Sequence, residues 1–292
     1  MTWLAEYRNS LKLTEVEDIF DLFFYRPIAF ILVKLIYPYN ITPNQLTYTA
    51  LVFGLISGIM YAQGWSAGFI WGSLFFVLYN IFDCADGQLS RLKKNGTSAG
   101  RIIDGIADYL ATLTVFIGIG FGFANHQSNP GYWWFLILLL IVSSLVQAIL
   151  VDYYRNRFMD YVLKRKSTFV EELDSYRTEL NQLEPQKDKW VDKTIIKIYL
   201  AYCDFQKKII KDQKQQKPFF VTPEAYYKKN KLPMRIWIFI CSSSEITILV
   251  ICSLINRLDL FFIIVLIGFN GLALFMWFIQ QSIDRTFKVS HI

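Results

Sequence analysis

Six apolar runs constrain this chain before anything else does, at residues 44 to 63, 67 to 91, 98 to 124, 132 to 155, 235 to 256 and 259 to 282. A helix advances about 1.5 Å per residue and needs about 20 apolar residues to cross the hydrocarbon core of a bilayer, a length each run meets. Lipid offers the backbone no hydrogen-bond partners, so each run has to satisfy its own. The expected class is therefore an all-α integral membrane protein with six transmembrane helices. Composition agrees: 54% of the 292 residues are hydrophobic and 17% aromatic, with mean hydropathy +0.31.

Charge decides how such a chain threads. The connections at 62 to 67 and 125 to 131 hold no Lys or Arg, whereas Arg91, Lys93 and Lys94 mark the second-to-third connection between them and the stretch from Arg155 to Arg235 is rich in both. The positive-inside rule then puts both termini, the 92 to 97 loop and the long insert on the cytoplasmic side, with Arg257 the one exception. Four units are expected: an N-terminal interfacial segment at 1 to 40, four spans at 41 to 155, a cytoplasmic helical insert at 156 to 234, and two spans with a tail at 235 to 292. The first twenty residues carry mixed charge and lack the apolar core of a signal peptide, so internal helices are expected to drive insertion. The net charge of +6 matters through its placement, and no nucleic-acid partner is expected.

Residues 14 to 38 begin amphipathic and turn apolar around Arg26 and Pro27. The pattern predicts a helix lying in the interface with Glu15, Glu17, Asp18 and Asp21 toward water, since 27 to 38 is too short to cross. Thr42-Pro43-Asn44 reads as a helix start. In the insert, Phe169, Leu173, Tyr176, Leu180 and Leu183 recur at helical intervals before Pro185. Trp190, Ile195, Ile198, Tyr202, Phe205 and Ile209 repeat the spacing. A helical hairpin outside the membrane follows, packing on itself or a second subunit, or serving as a lid or acceptor-recognition element. The stretch 218 to 233, with aromatics beside Lys228, Lys229 and Lys231, suits a surface of anionic lipid.

Two of the apolar runs carry carboxylates at neighbouring ends. Asp83 and Asp86 are three residues apart and Asp104 and Asp108 four apart, so on helices each pair shares a face. A carboxylate at the centre of a membrane helix costs roughly 2.5 to 3.5 kcal/mol on insertion scales, so four in one neighbourhood need compensation. Divalent metal supplies it: hard oxygen ligands suit Mg²⁺, Mn²⁺ or Ca²⁺, and a pair of ions would clamp a phosphoryl or phosphatidyl group. Gly87 and Gly100 give two places for close backbone approach, and Arg91 one guanidinium fork suited to phosphate.

Written out, the stretch is Asp83, two residues, Asp86-Gly87, two residues, Ser90-Arg91, eight residues, Gly100, three residues, Asp104, three residues, Asp108. It closely resembles the signature of the CDP-alcohol phosphotransferases (CDP-alcohol phosphatidyltransferases), membrane enzymes that make phospholipid head groups. Ser90 stands where the family pattern has Ala; every charged position is matched. The resemblance implies six helices, a CDP-linked lipid donor, attack on its phosphorus by an acceptor hydroxyl, and release of CMP. It implies two Mg²⁺ or Mn²⁺ ions on Asp83, Asp86 and Asp104, with Asp108 as a further ligand or the general base; spacing alone does not separate Asp108 from Asp104. Gly87 and Gly100 would admit cytidine and ribose, Arg91 would hold phosphate, and Asn44 and Thr47 are further nucleotide candidates, although a helix cap explains Asn44 equally well. Six helices favour CDP-diacylglycerol and a small polar alcohol such as inositol phosphate, glycerol phosphate or serine over CDP-choline or CDP-ethanolamine with a lipid alcohol. A homodimer is expected, multi-pass in a bacterial inner membrane rather than the ER, with its site facing the cytoplasm.

Other polar residues inside the apolar runs need a reason. Glu245 is expected to pair with Arg or Lys ahead of binding an acceptor amine, the other reading being a protonated structural residue. Gln147, Asp152 and Asn270 either line the same cavity or hydrogen-bond between helices, and Arg155 and Arg157 either bind an acceptor phosphate or snorkel. Cys84, Cys203, Cys241 and Cys252 form no CxxC pair, and His126 and His291 lie far apart, which argues against zinc and a disulfide framework. The competing class is a divalent-cation transporter, which would place its carboxylates near mid-bilayer along a continuous polar path.

Overall fold

The computed structural model describes residues 3–11, 14–163, 168–186, 189–209 and 222–289, which form helices joined by short turns, with no strand among them. The expected contributions of Phe169, Cys203, Tyr202, Phe205, Ile209, residues 218–221 and His291 fall on side chains outside that description. In chain order the helices are α1 (Trp3–Ser10), α2 (Arg26–Ile36), α3 (Pro43–Tyr61), α4 (Ser66–Lys93), α5 (Ser98–His126) and α6 (Pro130–Val162). They continue with α7 (Thr168–Leu183), α8 (Trp190–Ile209), α9 (Pro223–Ile238), α10 (Ser242–Leu254), α11 (Leu258–Ile263) and α12 (Asn270–Val289). π-helical turns at Asp21–Tyr25 and Ile264–Phe269 lead into α2 and α12.

Among the described residues, five helical stretches are long and apolar enough to cross a membrane: Ser66–Lys93, Ser98–His126, Pro130–Val162, Pro223–Leu254 and Leu258–Phe287. The run expected at 44 to 63 is α3, 19 residues that open on Pro43, Asn44 and Gln45, polar enough to leave it outside that set. Its start is built as the sequence implies, with the Thr42 hydroxyl accepting from the Gln45 N–H and the Gln45 side chain accepting from the Thr42 N–H. α3 packs along both α4 and α5. Tyr61, Phe76, Tyr79, Val115 and Ile119 from these three helices meet Leu249 of α10 and Phe261 of α11 in one buried cluster. A second cluster joins α6, α9 and α12 through Phe158, Tyr226, Trp237 and Met276.

The insert is not a separate appendage. Its first residues continue α6 to Val162, and residues 223–238 form α9, which packs against α6 with Tyr226 buried between Tyr161 and Phe287. In the hairpin, Leu173 and Tyr176 of α7 and Ile196 and Leu200 of α8 enclose Ala99 and Ile102 of α5. The apolar stripe expected along α8 is thus rotated: Trp190 and Ile198 face outward, and the neighbouring Ile196 and Leu200 are interior.

The N-terminal segment overturns one expectation outright. Glu17 and Asp18 are 3% exposed and Asp21 8%, so these acids face the protein and not water. Glu17 pairs with Arg26 at 2.6 Å. Asp18 accepts from the Ser244 hydroxyl at 2.6 Å and the Cys241 thiol at 2.9 Å, and Asp21 from the Ser243 hydroxyl at 3.0 Å. Those donors form the first turn of α10, where unsatisfied N–H groups and the positive end of the helix dipole favour carboxylates. The outward face is apolar instead, with Phe23, Phe24, Ile31 and Leu35 exposed.

Interior polar residues resolve similarly. Gln147 donates to Ser143 (2.9 Å) and Asn270 (3.1 Å), and Asn270 donates to Ser143 (2.6 Å), a hydrogen-bonded seam between α6 and α12. Arg155 pairs with Asp152 at 2.6 Å and Arg157 with Asp284 at 2.7 Å, so both arginines are engaged away from the aspartate motif. Glu245 accepts from the Ser144 hydroxyl at 2.5 Å, and no ion pair to it exists among the described residues, contrary to the expected Arg or Lys partner. The turn at 239–241 starts α10 afresh, which puts Glu245 in a first turn and not deep in a continuous helix.

Candidate active site

The aspartate motif is folded by two helix ends facing each other. α4 ends at Lys93 on a left-handed Lys94 (φ 52°), and α5 begins at Ser98 after three intervening residues, its Thr97 hydroxyl capping the helix by accepting from the Gly100 N–H at 3.0 Å. Because α3 lies against both helices, they approach one another through side chains and leave space between them. Asp83, Asp104 and Asp108 converge there: each offers a carboxylate oxygen, and the three oxygens lie within 4.8 Å of one another. Asp86, one turn nearer the end of α4, is buried and accepts from the Thr47 hydroxyl of α3. The Tyr79 hydroxyl donates to Asp108 Oδ1 at 2.8 Å and fixes the orientation of that carboxylate.

A cavity of about 400 Å³ opens beside this cluster. Eight of the nine residues named from sequence line it: Asn44, Thr47, Asp83, Asp86, Gly87, Arg91, Gly100 and Asp104. Asp108 sits a turn deeper on α5, within the carboxylate triplet but outside the cavity lining. The turn residues Asn95, Gly96 and Thr97 also line the cavity, so it lies at helix ends and not at mid-span. A methyl on Gly100 would come within 2.7 Å of Asn44 Oδ1, so the bare backbone there is what lets the start of α3 reach α5. A methyl on Gly87 would lie in van der Waals contact with the Arg91 guanidinium, at 3.4 Å. Arg91 is also held from outside the motif, donating to the Ser10 carbonyl of α1 at 2.5 Å.

Like charges this close repel, and water cannot fully screen a half-buried cluster. Three hard oxygen donors from two helices, with a fourth carboxylate one turn away, fit Mg²⁺ or Mn²⁺ chemistry.

Sequence reasoning missed a second wall. Asp21 and Arg26, from the N-terminal segment, line the same cavity. Burial pushes the Asp21 carboxyl up to about 6, with the Arg26 guanidinium opposing the shift. The available signal was Arg26 itself, a charge at the head of an apolar run. A third contributor is the insert: both Glu179 oxygens accept from the Ser98 N–H (2.8 and 3.1 Å), and the cavity residue Arg101 lies 5.3 Å over the Tyr176 ring. The hairpin thereby braces the mouth of the cavity.

Residues 40–170 match the family described as CDP-alcohol phosphatidyltransferase. Over 139 residues the chain is 27% identical to the phosphatidylinositol phosphate synthase of Corynebacterium glutamicum, covering 48% of this chain and 55% of that protein. The match therefore spans about half the length of each.

Proposed function

We propose, from the CDP-alcohol phosphatidyltransferase domain that residues 40–170 carry, that this protein moves a phosphatidyl group from a CDP-linked donor to the hydroxyl of a small polar alcohol and releases CMP. The observation that carries the reading is the convergence of Asp83, Asp104 and Asp108 from two helices beside a cavity walled by the arginine and glycines of the same motif. The reading takes CDP-diacylglycerol as donor, and the relative's name adds weight to an acceptor leading to phosphatidylinositol phosphate.

Asp83, Asp86 and Asp104 would hold two Mg²⁺ or Mn²⁺ ions, which would supply neutralisation of the charge that develops on the diphosphate oxygens, and this reading gives Asp108 the alternative role of base. Asp108, oriented by Tyr79, takes the proton of the acceptor hydroxyl as that oxygen bonds to phosphorus and the bond to CMP breaks. Arg91 pairs with phosphate, and Asn44, Gly87 and Gly100 shape the nucleotide end. Thr47 acts by holding Asp86 in place for its ligand role. In the same reading α3 is a sixth span, shielded by α4 and α5, the apolar outer face of α2 lies in the interface, the cavity faces the cytoplasm, and the working unit is a homodimer.

The test is incubation of purified protein with CDP-diacylglycerol, Mg²⁺ or Mn²⁺, and a panel of alcohols, with lipid products and CMP read by mass spectrometry. One alcohol giving both products is the expected result. If none does so, with CDP-diacylglycerol or with CDP-choline and diacylglycerol, the reading is wrong. Asp108→Asn is expected to lower kcat roughly a hundredfold or more while leaving CDP affinity near wild type, because it removes a proton acceptor from beyond the cavity lining. Calorimetry with CDP checks the second half; lost binding with intact turnover would reverse the assignment.

A further inference from the structure

Among the described residues, Arg26 is the one cation of the cavity wall that comes from outside the motif and the insert, at the first residue of α2. Its side chain is 8% exposed and its Nη2 is 2.6 Å from Glu17. Nε and Nη1 have no hydrogen-bond partner among the described residues. Its backbone is fixed as well, since the Gln88 side chain of α4 donates to the Arg26 carbonyl at 3.2 Å. A buried guanidinium costs free energy for every donor left unspent, and its planar fork matches the oxygens of phosphate or carboxylate bidentately. Arg91 stands in the same wall, and Asp83, Asp86 and Asp104 stand in it too. An anion between them would complete the arginine and meet the cations expected on the aspartates.

We propose that Arg26 is a phosphate-binding residue contributed to the cavity by the N-terminal segment, with Glu17 holding the guanidinium in place. The phosphate is either the diphosphate of the CDP-linked donor or a phosphate carried by the acceptor alcohol. Only the identity of that substrate rests on the proposed reaction; the binding chemistry does not.

The experiment uses the full-length protein in detergent with Mg²⁺. Replacing Arg26 alone would strand Glu17 as a buried lone charge, so the informative variant is Glu17→Gln with Arg26→Gln, which removes the pair together. Arg26→Lys, which keeps charge and loses the fork, serves if the double variant does not fold by thermal melting. CDP, glycerol 3-phosphate and inorganic phosphate are titrated calorimetrically, and KM is measured separately from kcat for donor and acceptor. Loss of a charge-assisted contact should weaken a phosphate probe roughly tenfold or more. Weakened CDP assigns Arg26 to the donor; weakened glycerol 3-phosphate or inorganic phosphate with CDP unchanged assigns it to the acceptor. A folded variant that binds all three as wild type does, or a wild type that binds none, overturns the proposal. A wild type that binds them yet releases no CMP with any alcohol defeats the proposed reaction and leaves the role of Arg26 standing.

Discussion

Asp83→Asn is expected to abolish Mg²⁺- or Mn²⁺-dependent CMP release while leaving the protein folded. Asp83 supplies one of three carboxylate oxygens that lie within 4.8 Å of one another, and a carboxamide there offers a neutral, weaker ligand. Residues that merely orient metal ligands typically cost 10- to 100-fold when replaced, so losing a ligand should exceed about a hundredfold. The same substitution removes one of several crowded like charges. Without metal, the variant should therefore melt at or above the wild-type temperature. A second readout follows from linkage: Mg²⁺ or Mn²⁺ should raise the melting temperature of the wild type and not that of the variant, since a ligand stabilises only the state that binds it. Wild-type turnover in Asp83→Asn, or an unchanged metal-induced shift, would remove the metal assignment.

The parts of this fold legible in the sequence are those whose determinants are local. The carboxylates at 83, 104 and 108 converge, with Asp86 one turn away in the cavity lining, because helical spacing aligns each pair and a short turn joins the helices. The capping box at Thr42 needs only four residues to be recognised. The burial of the N-terminal acids is not legible locally, because local pattern assigns an acidic face to water, whereas the groups that bury it are Arg26 and the first turn of α10, the latter more than 200 residues away in the chain. Glu245 shows the same limit, since its hydroxyl partner Ser144 lies on another helix 101 residues distant. Along α8 the helical period is legible and the buried face is not: aromatic Trp190 weighs heavily in any apolar stripe, yet the side chains that pack with Ala99 and Ile102 of α5 are Ile196 and Leu200. The bracing of Ser98 by Glu179 had no local signal at all.

Gly118→Val is expected to cost about 3 kcal/mol of stability, near the upper end for overpacking, because it forces apart two backbones in place of flexible side chains. A methyl at Gly118 would collide with the Gly58 carbonyl oxygen and lie 2.9 Å from its carbonyl carbon. The contact repeats along the crossing: a methyl on Gly58 would meet Thr114, and one on Gly54 would come within 2.6 Å of the Ala111 methyl. Small residues four apart on α3 thus let α5 lie directly against it, the packing that holds membrane helices together where lipid gives no hydrophobic drive between them. Gly271→Ala on α12, which has nothing within 4 Å of the new methyl, is the control, and there the gain in helix propensity should leave stability equal or slightly higher. Thermal unfolding in detergent reads both. The α3–α5 crossing also sets the site, since α3 brings Asn44 against Gly100 and Thr47 onto Asp86. Gly118→Val should therefore weaken metal-induced stabilisation well below the melting point, although position 118 lies more than two helical turns from Asp108. A Gly118→Val protein that melts with the wild type and keeps its metal response would mean that α3 and α5 do not cross at these glycines, and Asn44 and Thr47 would lose their place in the cavity with them.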